Sequence, residues 1–244
     1  MIQTGALVTD VAQSGPFVRA TFAVPAIASR LAAGRFVLAD LGDYLHTPLF
    51  PAWLETASFD VLVPPHHPAA ALHSGTTVDL IGPLGQGFEV PAAARRLLLV
   101  ASTAHLPALL PLIQQKPGFS VALLLAASTA ADLYPIRLLP PALEVHAVTA
   151  DGSAGHRGAP LDLFPDLARW ADCVCIADDP ATYPALAELV REVRMEQGRR
   201  FAQALVAPPL ACGVGACQGC AVEVARGTQL ACTDGPVFDL LELR

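Results

Sequence analysis

Three cysteines crowd into the nine residues CGVGACQGC, at Cys212, Cys217 and Cys220, and a fourth, Cys232, follows after eleven intervening residues. A C-x4-C-x2-C run with a distant fourth cysteine is the spacing that holds a plant-type [2Fe-2S] cluster. That chemistry needs four thiolates converging on a small anionic object, wrapped by a chain whose N–H groups face the sulfurs. Gly213, Gly215 and Gly219 read as the turning points, because glycine accepts positive φ and lets backbone come close. Ala216 is small, as a loop pressed on a cluster requires.

A zinc-binding, non-redox interaction module is the competing reading, since zinc also takes four thiolates. Zinc sites usually use two separated C-x2-C pairs, and this chain has one such pair beside a glycine-rich C-x4-C interval. The cluster is the reading the spacing favours. Cys173 and Cys175 alternate on an apolar run and read as core packing, without a redox role.

The elements that position the loop can be read outward from it. AVEVARGTQLAC, after Cys220, predicts a hairpin turning at Arg226 and Gly227 and returning Cys232. APPLA, before Cys212, holds the chain extended and marks a boundary. Further upstream, LLLVA, FSVALLLAA, EVHAVTA and DCVCIA alternate with helical stretches, which argues for a parallel sheet with crossover helices. The clearest helix has Asp179 as N-cap, Pro180 first, one face of Leu186, Leu189, Val190 and Val193, and its stop at Gly198. The first ninety residues predict short strands near 20–24, 35–41, 59–63 and 76–81, a pattern that suits a small antiparallel barrel.

The expected fold class is α+β and multidomain: an antiparallel β-barrel at 1–92, a nucleotide-binding-like α/β domain at 93–200, and a small [2Fe-2S] domain at 201–244. A net charge of −7 without a basic stripe argues against nucleic acid. The apolar runs are broken by polar residues and proline short of the roughly 20 residues a spanning helix needs, so no membrane span is expected. The start MIQTGALVTDVAQSG lacks an export signature, and a cytoplasmic location is expected. Seven histidines lack metal spacing, and Ser102 with His105 lacks the context of a hydrolase nucleophile.

From Ala211 to Phe238 the chain resembles the electron-transfer subunit of dihydroorotate dehydrogenase, within the ferredoxin reductase-like superfamily, through ACGVGACQGC, AC and DGPVF. GRFVL at 34–38, GPLGQGF at 82–88 and DGSAGHRG at 151–158 extend the resemblance. It implies electrons passing between NADH and a flavin-bearing catalytic subunit through FAD and the cluster, in pyrimidine biosynthesis, within a hetero-oligomer. It also places Gly82, Gly85 and Gly87 in the FAD region, and the stretch from Asp234 to Phe238 near the cluster, where it could help dock a partner.

Two departures temper what is implied. HTPLFPA at 46–52 stands where the family has an Arg-Pro-x-Ser motif, and no lysine or arginine lies between Arg35 and Arg95, which weakens the case for FAD. After LLLVA the turn is STAHLP, with no glycine between Gly87 and Gly118, so NAD is not expected. The protein expected is a redox subunit without a substrate site of its own. The alternative within the same class is a [2Fe-2S] accessory subunit of another oxidoreductase complex, lacking FAD and NAD.

Overall fold

A computed structural model describes residues 1–115, 118–193 and 200–244. The N-terminal part comprises β1 (Ile2–Ser14), β2 (Phe17–Ala23), a four-residue α1 (Pro25–Ala28), β3 (Phe36–Ala39), β4 (Thr47–Leu49), β5 (Trp53–Leu54), β6 (Ser58–Val63) and β7 (Thr77–Leu84). These strands pair antiparallel in the order β4-β3-β7-β1-β2-β6-β5. The two edge strands, β4 and β5, are joined by residues 50–52 alone. Three residues span only about 10 Å, so the sheet must roll up until its edges meet, which gives the expected barrel. Its interior is apolar, with Ala6, Val8, Val37 and Leu80 around a stacked Phe22–Phe59 pair whose centroids are 5.4 Å apart.

The second sheet follows from β8 (Arg96–Ser102), α2 (Leu110–Gln115), β9 (Ser120–Ala127), β10 (Glu144–Thr149), β11 (His156–Arg157), α3 (Pro160–Trp170), β12 (Cys173–Ala177), α4 (Tyr183–Val193) and β13 (Ala202–Leu205). The order is β11-β10-β9-β8-β12-β13-β16, parallel throughout except for the last strand, β16 (Val237–Asp239). The residues that β8, β9 and β12 contribute to its centre are almost all buried, as a parallel sheet covered on both faces requires. Cys173 and Cys175 lie in this core, both fully buried. The chain therefore has the α+β architecture read from its sequence.

Two local expectations change. Asp179 does cap, accepting from Ala181 N–H at 2.9 Å, but it caps a 3-10 turn over Pro180–Thr182, and α4 begins only at Tyr183. Leu186 and Val190 are buried on its face as expected, while the stop at Gly198 lies outside the described residues. Residues 202–205 form β13 in the parallel sheet, and β16 pairs antiparallel with β13, so the cysteine-bearing segment is stitched into the sheet on both sides. Among the described residues no helix is long and apolar enough to cross a membrane.

Candidate iron–sulfur site

The cysteines occupy an irregular loop from 207 to 220 and the turn after a short hairpin, β14 (Ala221–Val224) and β15 (Gly227–Leu230). The expected hairpin forms, but it turns at Ala225 and Arg226, one residue earlier than expected, with Gly227 already in β15 opposite Val224. The loop lies on the barrel: a Cβ at Gly213 would stand 2.7 Å from Leu84 and 3.0 Å from Leu38, so only glycine, here at φ +67°, lets the chain approach. Gly215, at φ +75°, brings its N–H to Cys232 Sγ at 3.2 Å. Gly219 does not play the part expected of it. Gln218 takes the left-handed turn instead, at φ +56°, and a Cβ on Gly219 would meet Cys217 Sγ at an ordinary 3.7 Å.

The four thiols form two pairs. Cys212 acts most strongly on Cys217 among the thiols, and Cys232 on Cys220. The N–H groups of Cys217 and Val214 draw the Cys212 thiol down to about 6, with the Cys217 side chain and Ala216 N–H adding to it. Burial pushes the Cys232 thiol up to about 12, reinforced by the Cys220 side chain and opposed by the Gly215 N–H. Cys220 and Cys232 sit in an apolar nest with Phe36, Leu38, Leu84 and Phe238, whereas Cys217 is exposed. Among the described residues, no three His, Cys, Asp or Glu side chains are gathered as for a single metal ion.

These residues fit an iron–sulfur cluster. The donor set is four thiols and no competing base, and it divides into two pairs, matching two irons that each take two thiolates. Backbone N–H groups already point at sulfur on both pairs.

The GPLGQGF loop at 82–88 ties this segment to the barrel. Gln86 N–H donates to Gly235 O at 2.5 Å, and Gln86 Nε2 to Thr233 O at 3.3 Å. Gly82 packs on Val37, Gly85 on Pro236 and Gly235, and Gly87 on the Ala33 carbonyl. The stretch 234–238 is mostly interior: Val237 and Phe238 are buried in β16, and only Asp234 is exposed, its carboxylate accepting from Leu230 N–H at 2.8 Å. It is a packing segment and not the partner surface that the resemblance had suggested.

Where the barrel meets the parallel sheet there is an apolar cavity of about 150 Å³, lined by Leu49, Phe50, Leu62, His105, Pro107 and Leu205 among others. It is smaller than the roughly 300–1,000 Å³ of most cofactor clefts, and no lysine or arginine lines it. Arg35, next to the arginine-free stretch, spends its guanidinium on the carbonyls of Gly85 and Arg30. The cavity's walls are apolar apart from His105.

A rolled antiparallel barrel, a parallel sheet and a four-cysteine loop together define a ferredoxin reductase-like electron-transfer protein. Residues 208–244 match the family model of the iron–sulfur cluster binding domain of dihydroorotate dehydrogenase B. The dihydroorotate dehydrogenase B (NAD(+)) electron transfer subunit of Shouchella clausii is 33% identical over 182 residues, covering 71% of this chain and 68% of that protein. The Bacillus caldolyticus subunit of the same name is 34% identical over 174 residues, covering 67% of this chain and 64% of that protein. The chain belongs to this electron transfer subunit family, with the match spanning about two thirds of its relatives' length. A solved NADH-dependent reduced ferredoxin-NADP oxidoreductase superposes with a TM-score of 0.83 at 22% identity, over 98% of this chain and 89% of that one, and shares the fold.

Proposed function

We propose that this chain is the electron-transfer subunit of a dihydroorotate-oxidising complex, with Cys212, Cys217, Cys220 and Cys232 holding a [2Fe-2S] cluster. The observation that carries the reading is the seating of the cysteine loop against the hairpin turn, which buries Cys220 beside Cys232 and aims the Gly215 N–H at the Cys232 sulfur. When bound, such a cluster supplies one-electron redox chemistry, with a potential set by hydrogen bonds to sulfur and by exposure. The chain's own residues do the rest. Gly215 and the amides of 214–217 orient the sulfurs, Phe36, Leu84 and Phe238 keep water from the inner pair, and exposed Cys217 marks the edge where charge can pass to a partner.

The partner is a flavin-containing catalytic subunit, so the working unit is a hetero-oligomer, placed in the cytoplasm. The functional division follows the barrel at 1–92, the α/β part at 93–200 and the cluster segment at 201–244, the last two sharing one sheet. A tagged chain purified under argon should bring down that flavoprotein subunit, and dihydroorotate added to the complex should bleach the cluster's visible absorbance. A complex that turns over dihydroorotate while the cluster stays oxidised would remove this chain from the electron path.

A further inference from the structure

In open α/β sheets a dinucleotide binds beyond the carboxyl ends of the strands, where the first strand-to-helix turn offers its pyrophosphate free backbone N–H groups. In this chain that turn is residues 102–107, between β8 and α2. The N–H groups of Thr103 and His105 within it, and of Ala108 just beyond it, are already spent. Thr103 N–H donates to Ala126 O at 3.0 Å, His105 N–H to Ser102 O at 3.1 Å, and Ala108 N–H to His105 O at 3.3 Å. Pro107 has no N–H to offer.

Side chains finish the closure. Ser102 Oγ and His105 Nδ1 share a hydrogen bond at 2.8 Å across the turn. Thr103 Oγ1 accepts from Tyr134 N–H at 3.2 Å, which laces the loop after β9 onto the turn, and Tyr134 is itself 2% exposed. Leu106 is fully buried and starts a 3-10 turn over Leu106–Leu109, and α-helical geometry begins only at Leu110. A helix entered through 3-10 geometry, with its first N–H groups buried, presents little of its dipole to a phosphate.

We infer that this α/β unit has given up dinucleotide binding, so that NAD(H) is not this chain's redox partner although its relatives are named for NAD(+). Electrons enter and leave one at a time, exchanged with protein redox carriers at the exposed Cys217 edge of the loop. Each one-electron reduction of the chain is balanced by the one-electron oxidation of the carrier that docks, and no hydride crosses. Two electrons released with two protons from a substrate on the catalytic subunit require two such passages, the protons going to solvent there.

This inference rests on the electron-carrier reading only for the role of the cysteine loop. It is tested on the holoprotein under argon, with FAD supplied in excess, using NADH and NADPH as probes. Equilibrium dialysis should detect no binding within the roughly 1 μM–1 mM window usual for enzyme substrates, and NADH should leave the visible absorbance unchanged where dithionite bleaches it. Binding inside that window, or bleaching by either nucleotide, overturns the inference. Failure of dithionite to produce a paramagnetic signal would count against the carrier reading instead, and the dialysis would still decide the nucleotide question.

Discussion

Gln86, on the loop leaving the barrel, donates its backbone N–H to the carbonyl of Gly235 at 2.5 Å, three residues beyond Cys232. The preceding Gly85 sits at φ +72° with Pro236 and Gly235 packed where a Cβ would go. The cluster segment is thus seated on the barrel by a contact that tolerates no side chain.

Gly85→Ala should therefore cost more than a left-handed alanine alone. That backbone penalty is roughly 1–2 kcal/mol, and a Cβ 2.6 Å from Pro236 Cδ adds overpacking of roughly 1–3 kcal/mol. Thermal melts should fall by roughly 5–15 °C, with faster loss of the cluster in air. Gly42→Ala is the control, since Gly42 has φ +88° and nothing within 4 Å of where its methyl group would stand. Its melting point should fall by no more than roughly 2–6 °C, and equal shifts for the two variants would refute the seating role.

Serine at Cys220 or Cys232 should abolish the cluster, because each lies in the apolar nest and its thiol pairs with the other. Cys175→Ala should leave iron per chain unchanged, as Cys175 is buried in β12 within the parallel sheet. Iron analysis of the three variants, purified side by side, checks this; loss of iron from Cys175→Ala would relocate the site.

An arginine at Thr47, which precedes Pro48 as the family's arginine precedes its proline, should tighten FAD binding. A charge-assisted hydrogen bond contributes roughly 1.5–3 kcal/mol, so Thr47→Arg should lower the dissociation constant about tenfold or more in a flavin-fluorescence titration. The unaltered chain should lose FAD on desalting. Retention of one FAD per unaltered chain would show that backbone alone anchors the diphosphate.

Asp172 holds the starts of β8 and β12 together away from the cysteine loop. The Arg96 guanidinium at 2.7 Å and the Arg95 and Arg96 N–H groups bring its carboxyl down to about 2, below the ordinary value of about 3.9. A carboxylate depressed on folding stabilises above its unfolded value, and that contribution disappears as pH falls from about 4 to about 2. The pair is largely in solvent, so screening limits it to under about 1 kcal/mol. Asp172→Asn should lower the urea midpoint at pH 7 and match the unaltered chain near pH 2; a gap that persists in acid would assign the effect to packing.

The parallel strands were legible because β8, β9 and β12 are continuous apolar runs, and the cysteine loop because its spacing is specific. β1 was not, although it is the longest strand at 13 residues. Its inward positions are Ala6 and Val8 while the larger Leu7 points outward at 46% exposure, and a bulge between Val8 and Asp10 breaks the alternation. β4 and β5, at three and two residues, carry too little pattern to read. The closure of the turn after β8 depends on Ala126 and Tyr134, which are distant in sequence, so missing glycines hinted at it but could not show where the amides go. The left-handed turn at Gln218 likewise belongs to a glutamine, where residue type pointed to the neighbouring glycine.

The most direct test of the central claim is a count of iron and acid-labile sulfide on anaerobically purified chain, joined to an electron paramagnetic spectrum after dithionite reduction. About two iron and two sulfide per chain with a single reduced-cluster spin signal are expected. A colourless protein holding one zinc and no sulfide would contradict the electron-carrier account.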